Sequence, residues 1–493
     1  MQTLFGARLE HHAWSAPRSS AFASLRGEVS YADLLGMVRC CAGWLLRECI
    51  TGEAAPPAVV GVSIADDLKH MVTSLALLSL GVPHVGLPSR DPVAGRLALA
   101  RRLGVRRIVL DEPRHRLPGI ASSLAVPAAM RPNAASAPMP LCNDADAPAL
   151  YYASSGTTGT PKLFALSQRA LAWRAECIAR SERIEHAASY RSLVPVSVED
   201  SMAKSRMMSC AWLGATSILA DRAAPPAPSI PGLCAQLDVT CLELTAMQVA
   251  GLVATADAHP LPASTAVYTA GARVPATLRQ AFRSRFGKPL WVHYGTREFG
   301  RISSTFPDGD GESTETVGRP VPWIDLQVVG ADGRQVDSGQ IGQLKLRASC
   351  MTDGYYGDRI ATSRHFKQGW FYPGDLVSLQ PDGRLVIHGR ADDMMNLGGI
   401  KIFPAEIERV LEEHPAIRAA AAFAKPSLAH GDIPIAAVEL HVAMSATIDE
   451  LLAHVRARLG VRAPRRIIVL DALPRNSVGK VARRELAQLV ANG

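Results

Sequence analysis

A chain of 493 residues, 48% hydrophobic and 20% charged, is long enough for a large core and more than one domain, and its Gly 39 and Pro 34 are too few for a disordered chain. The net charge of +8, from 53 basic against 45 acidic residues, comes without a long basic run or interleaved aromatics; this disfavours nucleic-acid binding and is compatible with an anionic small ligand. Nine scattered cysteines, with no CxxC pair, argue against a disulfide frame or zinc site and predict reduced thiols in a cytoplasmic protein.

The N-terminal "MQTLFGARLEHHAW" has acid and histidines where a signal peptide needs an apolar core. "VVGVSIADD" predicts a short strand with a helix over Leu68 to Leu80. "MVTSLALLSLGVPHVGLP", from Met71, is broken by Ser, Gly and Pro; it predicts a core helix and a strand, and no transmembrane segment. "RRIVLDE" is another apolar run, and the Ala/Pro/Ser-rich stretch from Arg114 to Ala147 reads as a surface connection. Strand–helix alternation to about Leu290 predicts α/β architecture with mostly parallel strands.

"APALYY" predicts a buried strand and "FALSQRALAWRAECIAR" has helical spacing. Between them, Ala153 to Lys162 hold five Ser or Thr hydroxyls, two glycines and a lysine. Such a loop between strand and helix reads as a phosphate cradle, with a flexible turn as its rival. It is not a Walker A loop, because Pro161 precedes Lys162 and Leu163 follows. Further along, "WVHYGTREFG" sets Glu298 just past an apolar run, where a carboxylate can hold Mg²⁺ or simply pair with Arg297 or Arg301. From "DLQVVGADGR" to "GRLVIHG" short alternating strands with DG and SG turns predict a meander or small barrel. Within it, Asp375 of "YPGD" can accept both hydroxyls of a ribose or sit in a solvated bend. "GRADDMMNLGGIKIFPAEIE" carries Arg390, Asp392, paired glycines, Lys401, and Pro404 at a helix start. A compact α/β segment follows, with helices at "PAEIERVLEEH" and "IDELLAHVRARLG", strands at "AAVELHV" and "RRIIVLD", and Lys480 on a terminal glycine turn.

The serial order of "SSGTTGTPK", "YGTRE", "YPGD", "GRADD…GGIKIFPAEIE" and "PRNSVGK" resembles the adenylate-forming superfamily of acyl- and aryl-CoA synthetases, nonribosomal peptide adenylation domains and luciferases. The resemblance runs from about Tyr31 to Leu486 and is strongest to acyl- or aryl-CoA ligases. It implies a large multi-layer N-terminal α/β domain with a small β-rich subdomain, residues 1–391, and a small mobile C-terminal α/β domain, residues 392–493. It implies ATP-dependent conversion of a small-molecule carboxylate to an acyl-adenylate with release of pyrophosphate, then transfer to the thiol of coenzyme A. The alternatives are a stand-alone enzyme loading a carrier-protein phosphopantetheine, and an inactive scaffold.

By the same resemblance Ser154, Ser155, Gly156, Thr157, Thr158, Gly159 and Lys162 wrap the β- and γ-phosphates, and Glu298 holds Mg²⁺. Gly271 and Ala272 lie along the adenine, Tyr294 stacks on it, and Gly295 and Thr296 complete the loop. Asp375 and Arg390 meet the ribose, Asp392 is the hinge, and Lys480 bridges the attacking carboxylate and the α-phosphate. Gly398, Gly399 and Lys401 are candidates for the thiol step. Two departures stand out. Arg297 replaces a threonine of the family pattern, and "VPVSVEDSMAKSRMM" carries Ser197, Val198, Glu199 and Asp200 where relatives have acyl-gate or ammonium-binding residues. For the two acids, capping of a helix from Ser201 is the alternative.

Overall fold

The computed structural model describes residues 2–50, 58–120, 122–126, 140–154, 162–222, 228–255, 260–305, 316–349, 351–427, 431–441, 444–475 and 481–491. Two large sheets organise the N-terminal part. The first has nine strands, and its central members Arg191–Leu193, Cys241–Thr245, Ala266–Ala270 and Leu290–Thr296 run parallel. The second has six, with Val60–Ser63, His84–Gly86 and Arg107–Leu110 parallel and Pro148–Ser154 paired antiparallel to Lys162–Ser167 at one edge.

Helices fill the space between the sheets. Asp67–Leu80 buries every residue from His70 to Leu78, as the core helix expected there requires, and Asp66 caps it by accepting from the Lys69 N–H. Its core is shared with Phe22 and Val62, one from each sheet, and with Met207 and Met208 of the helix Ser201–Leu213. The connection expected from Arg114 to Ala147 contains a strand, Ser122–Ala125, which pairs parallel with Arg107–Leu110. Its β-propensity is weak; the exposed edge of the sheet supplies the partner.

Residues 325–390 form the expected antiparallel meander, led by Asp325–Val329, Gly342–Arg347, Asp375–Leu379 and Leu385–Arg390. After the turn Ala391–Asp393 a separate sheet begins. It combines the hairpin Met395–Leu397 and Ile400–Ile402 with Gly431–Leu440, Ile417–Ser427 and Arg466–Val469. The helices Pro404–Glu412 and Ile448–Leu459 pack on it through Ile407, Val410, Leu411, Leu451 and Val455. The strand Ile417–Ser427 was missed in the sequence, since "IRAAAAFAKPS" is alanine-rich and does not alternate.

Candidate active site

The phosphate-cradle loop is set differently from its expected strand–loop–helix frame. "KLFALS" is a strand, Lys162–Ser167, paired from Pro148↔Ser167 to Ser154↔Lys162, and the helix starts only at Gln168. Leu163, Phe164 and Leu166 are buried by that pairing, and Ser167 is the N-cap, accepting from the Ala170 N–H. The loop therefore joins two antiparallel strands and has no helix N-terminus at its end. Ser155, Gly156, Thr157, Thr158, Gly159 and Lys480 lie outside the described residues; Ser154 ends the first strand.

Lys162 follows directly. Its ammonium donates to His365 Nε2 at 2.7 Å and lies 5.2 Å from the centre of the Tyr355 ring. His365 Nδ1 is 2.7 Å from the Tyr372 carbonyl, so Nδ1 carries the proton and Nε2 offers its lone pair to the lysine. Burial lowers the Lys162 pKa and the Glu298 charge opposes that, while burial holds His365 below its usual value against the pull of the Tyr372 carbonyl. The Tyr355 hydroxyl in turn donates to Glu298 Oε1 at 3.1 Å. Neither Tyr355 nor His365 belongs to a recognisable motif; a lone histidine and tyrosine gave no signal in the sequence.

Glu298 is not a loop glutamate paired with Arg297 or Arg301. Arg301 binds Glu182, and Arg297 donates to the Ala153 carbonyl at 2.6 Å, tying its own loop to the strand that enters the phosphate loop. Arg174 clamps the segment from beneath, donating to the carbonyls of Arg297 (2.8 Å) and Glu298 (2.7 Å). Thr296 accepts from the Phe299 N–H at 3.2 Å. Gly295 is required by close approach: a Cβ there would stand 2.3 Å from the Gly300 carbonyl oxygen.

The third part is the Tyr294–Asp375–Arg390 chain. The Tyr294 hydroxyl donates to Asp375 Oδ2, and Arg390 Nη1 donates to Asp375 Oδ1 at 3.2 Å and to the Pro373 carbonyl at 2.6 Å. Burial and then the neighbouring Asp375 charge raise the Tyr294 pKa, keeping its hydroxyl protonated; Asp375 and Asp392 overcome burial to keep Arg390 charged. Asp392 is 3.9 Å from Arg390 with its side chain largely exposed. Gly271 and Ala272 follow the end of the strand Ala266–Ala270, level with the neighbouring strand that carries Tyr294.

The segment from Ser197 to Asp200 is bound to the loop after His84–Gly86. Glu199 accepts from the Ser89 N–H (2.7 Å) and hydroxyl (2.9 Å), and Asp200 pairs with Arg90 at 2.6 Å. Capping of the helix from Ser201 is thus set aside: Asp200 occupies the N-cap position, but its side chain makes no cap bond because Arg90 holds it. Ser197 accepts from the Glu199 N–H, and Val198 is fully buried in the inter-sheet core. In the last domain, Gly398 and Gly399 are the two-residue turn between the paired Leu397 and Ile400, both with positive φ (55° and 94°), as a type I′ hairpin requires. Lys401 stands exposed on the second strand of that hairpin.

Comparison with known proteins accords with this geometry. Residues 9–356 match the AMP-binding enzyme family and residues 406–480 match the AMP-binding enzyme C-terminal domain. The chain is 30% identical to an indoleacetate–CoA ligase of Aromatoleum aromaticum over 70% of its own length and 68% of that protein. It is 28% identical to the pyochelin synthase PchD of Pseudomonas aeruginosa over 98% of its length and 92% of that protein. Its fold superposes on O-succinylbenzoate coenzyme A synthetase from Bacillus subtilis, solved with ATP and magnesium, with a TM-score of 0.85 at 22% identity, covering 99% of each chain. No helix among the described residues is long and apolar enough to cross a membrane. With Lys162, Tyr294, Glu298, Asp375 and Arg390 gathered in one place and both family domains matched along its length, the chain is a member of the AMP-binding, adenylate-forming enzyme family.

Proposed function

We propose that this protein binds ATP with Mg²⁺, activates a carboxylic acid and passes the acyl group to the thiol of coenzyme A. The substrate carboxylate oxygen bonds to the α-phosphorus as pyrophosphate leaves; the thiol sulfur then bonds to the acyl carbon as AMP leaves. One observation carries the proposal. Lys162, Tyr294, Glu298, Asp375 and Arg390, distant in the chain, form a single electrostatic cluster, with Lys162 feeling both Glu298 and Arg390. Among the described residues no donor reaches Glu298 Oε2, and one carboxylate with a free oxygen suits Mg²⁺, which is held by one or two carboxylates, waters and substrate phosphates. When bound, the ion would neutralise phosphate charge. Lys162 adds a fixed cation, Asp375 fixes the ribose, and Tyr294 offers its ring to the adenine.

Lys480 is proposed as the cation that meets the α-phosphate, carried there by residues 392–493 turning about Asp392. Supporting that boundary, the last sheet lies wholly between Met395 and Val469. Loading of a carrier protein is the second proposal, favoured by similarity to PchD along 98% of the chain. ATP–pyrophosphate exchange across a carboxylate panel tests adenylation; exchange with no acid overturns it. Coenzyme A against a phosphopantetheinylated carrier as acceptor then decides the second step. Lys480→Ala is expected to remove most exchange, about 10²–10³-fold, yet to spare thioester formation from a supplied acyl-adenylate; equal loss of both half-reactions rejects the assigned role.

A further inference from the structure

The nine-stranded sheet has two unlike faces at its centre. Leu242, Leu244, Val267 and Val292 point one way into an apolar core with Val249 and Phe282. The alternate residues Glu243, Tyr268 and His293 point the other way, toward the inter-sheet helices. Glu243 and Tyr268 are direct partners in register, and Tyr268 stacks on His293 with ring centres 4.7 Å apart. Arg206, from the helix Ser201–Leu213, donates from Nε (2.9 Å) and Nη2 (2.7 Å) to Glu243 Oε2, and from both Nη atoms to Glu182. Arg301 also donates to Glu182, at 2.8 Å. The side chains of Glu182, Arg206 and Glu243 keep only 0%, 2% and 10% of their surface.

An inward sheet face facing helices is ordinarily apolar, so this one breaks the local rule, which proteins do chiefly at functional sites. Two features say what kind. Tyr268 sits on a strand flanked on both sides yet stays partly accessible, so the face is not packed shut at that point. Glu243 spends both of its hydrogen bonds on Oε2; among the described residues no donor reaches Oε1, although the carboxylate is nine-tenths buried. The position is telling. Cys241–Thr245, Ala266–Ala270 and Leu290–Thr296 run parallel and end together at Gly271 and Tyr294, beside the nucleotide cluster. Glu243 lies two residues before its strand end, about 7 Å back along the sheet.

Resting on the proposed adenylation, we infer that this face is the far wall of the acyl site and that Glu243 Oε1 selects a carboxylic acid bearing a hydroxyl or amino donor on the order of 7 Å from the nucleotide end. Glu182, Arg206 and Arg301 hold Glu243 in place and balance its charge. A plain alkyl or aryl acid would bury Oε1 without a donor, the situation in which sites built for a polar group discriminate most strongly.

The test is ATP–pyrophosphate exchange by the full chain with matched acids: benzoate, 4-hydroxybenzoate and 4-aminobenzoate, and pentanoate, 5-hydroxypentanoate and 5-aminopentanoate. In at least one series the donor-bearing acid should exceed its plain parent in kcat/KM by about 10²-fold or more. Glu243→Gln, which turns the free oxygen into an amide donor while leaving the Arg206–Glu182 pair, should erase most of that preference, more for amino than for hydroxyl acids, in a protein that still folds but melts at a lower temperature. Plain parents equal to or better than their donor-bearing partners in both series overturn the assignment, and so does a Glu243→Gln protein that keeps the preference or slows all acids alike. If the variant does not fold, the wild-type panel decides alone. Exchange with none of the acids, nor with the wider carboxylate panel, rejects adenylation itself.

Discussion

The protein contains two lysine–histidine pairs of the same construction in different surroundings. Lys162 donates to His365 at 2.7 Å and Lys204 to His70 at 3.1 Å; each histidine turns Nδ1 to a carbonyl, Tyr372 in one and Ile64 in the other, leaving Nε2 for the lysine. Lys162 is only partly buried, with Glu298, Arg390, Asp392 and Asp358 around it, and burial lowers its pKa while Glu298 opposes the shift. In the inter-sheet core Lys204 is sealed in, with Glu199 as its one opposing charge, and burial brings its pKa down to about 7. The same pattern of hydrogen bonding therefore serves a partly open lysine with several carboxylates about it in one place and, in the other, an amine half-neutral near pH 7. Two residues beyond Lys204, Arg206 is just as buried, but Glu182 and Glu243 outweigh its desolvation and hold its pKa above the usual value. What fixes a buried cation is the carboxylates that reach it.

Breaking the best-paired cation should cost most. Arg206→Met leaves Glu243 buried without a cation and Glu182 with Arg301 alone, and is expected to destabilise the fold by about 3–5 kcal/mol in urea unfolding; a loss under about 1 kcal/mol would show that the carboxylates do not depend on it. Next is Lys162→Ala, for which pyrophosphate exchange should fall about 10²–10³-fold with the unfolding midpoint unmoved. Lys204→Met goes the other way. The unfolded chain keeps the lysine proton up to its ordinary pKa of 10.5 whereas the native state gives it up near 7. Wild-type stability should therefore climb between those values, by up to about 1.4 kcal/mol per pH unit, and the variant should flatten the climb.

The smallest effect sharpens the histidine half of the comparison. Both histidines are held below 6.5, so the unfolded chain takes up protons first and stability falls as pH drops beneath that value. Burial, then Lys204, lower His70 to about 3, so its loss should continue nearly to that pH, while that of half-exposed His365 should end sooner. Acid titration of His70→Gln and His365→Gln would reveal it; equal flattening by the two would mean that burial does not separate the pairs.

How far each region was legible in the sequence follows the same division. Tyr294, Glu298, Asp375 and Arg390 sit in short motifs at strand ends, where turn residues such as Gly295 and the Pro-Gly before Asp375 mark them. The residues behind them are scattered singly over separate strands and helices, and nothing in "CLELT" or "AVYTA" announces that Glu243 and Tyr268 will face each other. Register brings them together, and register is a long-range property. The helical reading of "FALS", at the head of "FALSQRALAWRAECIAR", failed for a related reason: its strand state depends on pairing with Pro148–Ser154. Arg297 could only be placed once the Ala153 carbonyl was known to be beside it.

One contact joins the large N-terminal part to the last domain. Arg273, next after Ala272 in the loop expected along the adenine, pairs with Glu412 at the end of the helix Pro404–Glu412. Burial raises the Glu412 pKa, and the Arg273 charge offsets part of that rise. The proposed turn of residues 392–493 about Asp392 would have to unmake this contact and rehydrate both ions. Under the proposed motion the pair would act as a friction point between the loop at Arg273 and the last domain; salt would loosen its grip, and the pace of turnover would carry an ionic-strength dependence that originates away from the reacting atoms.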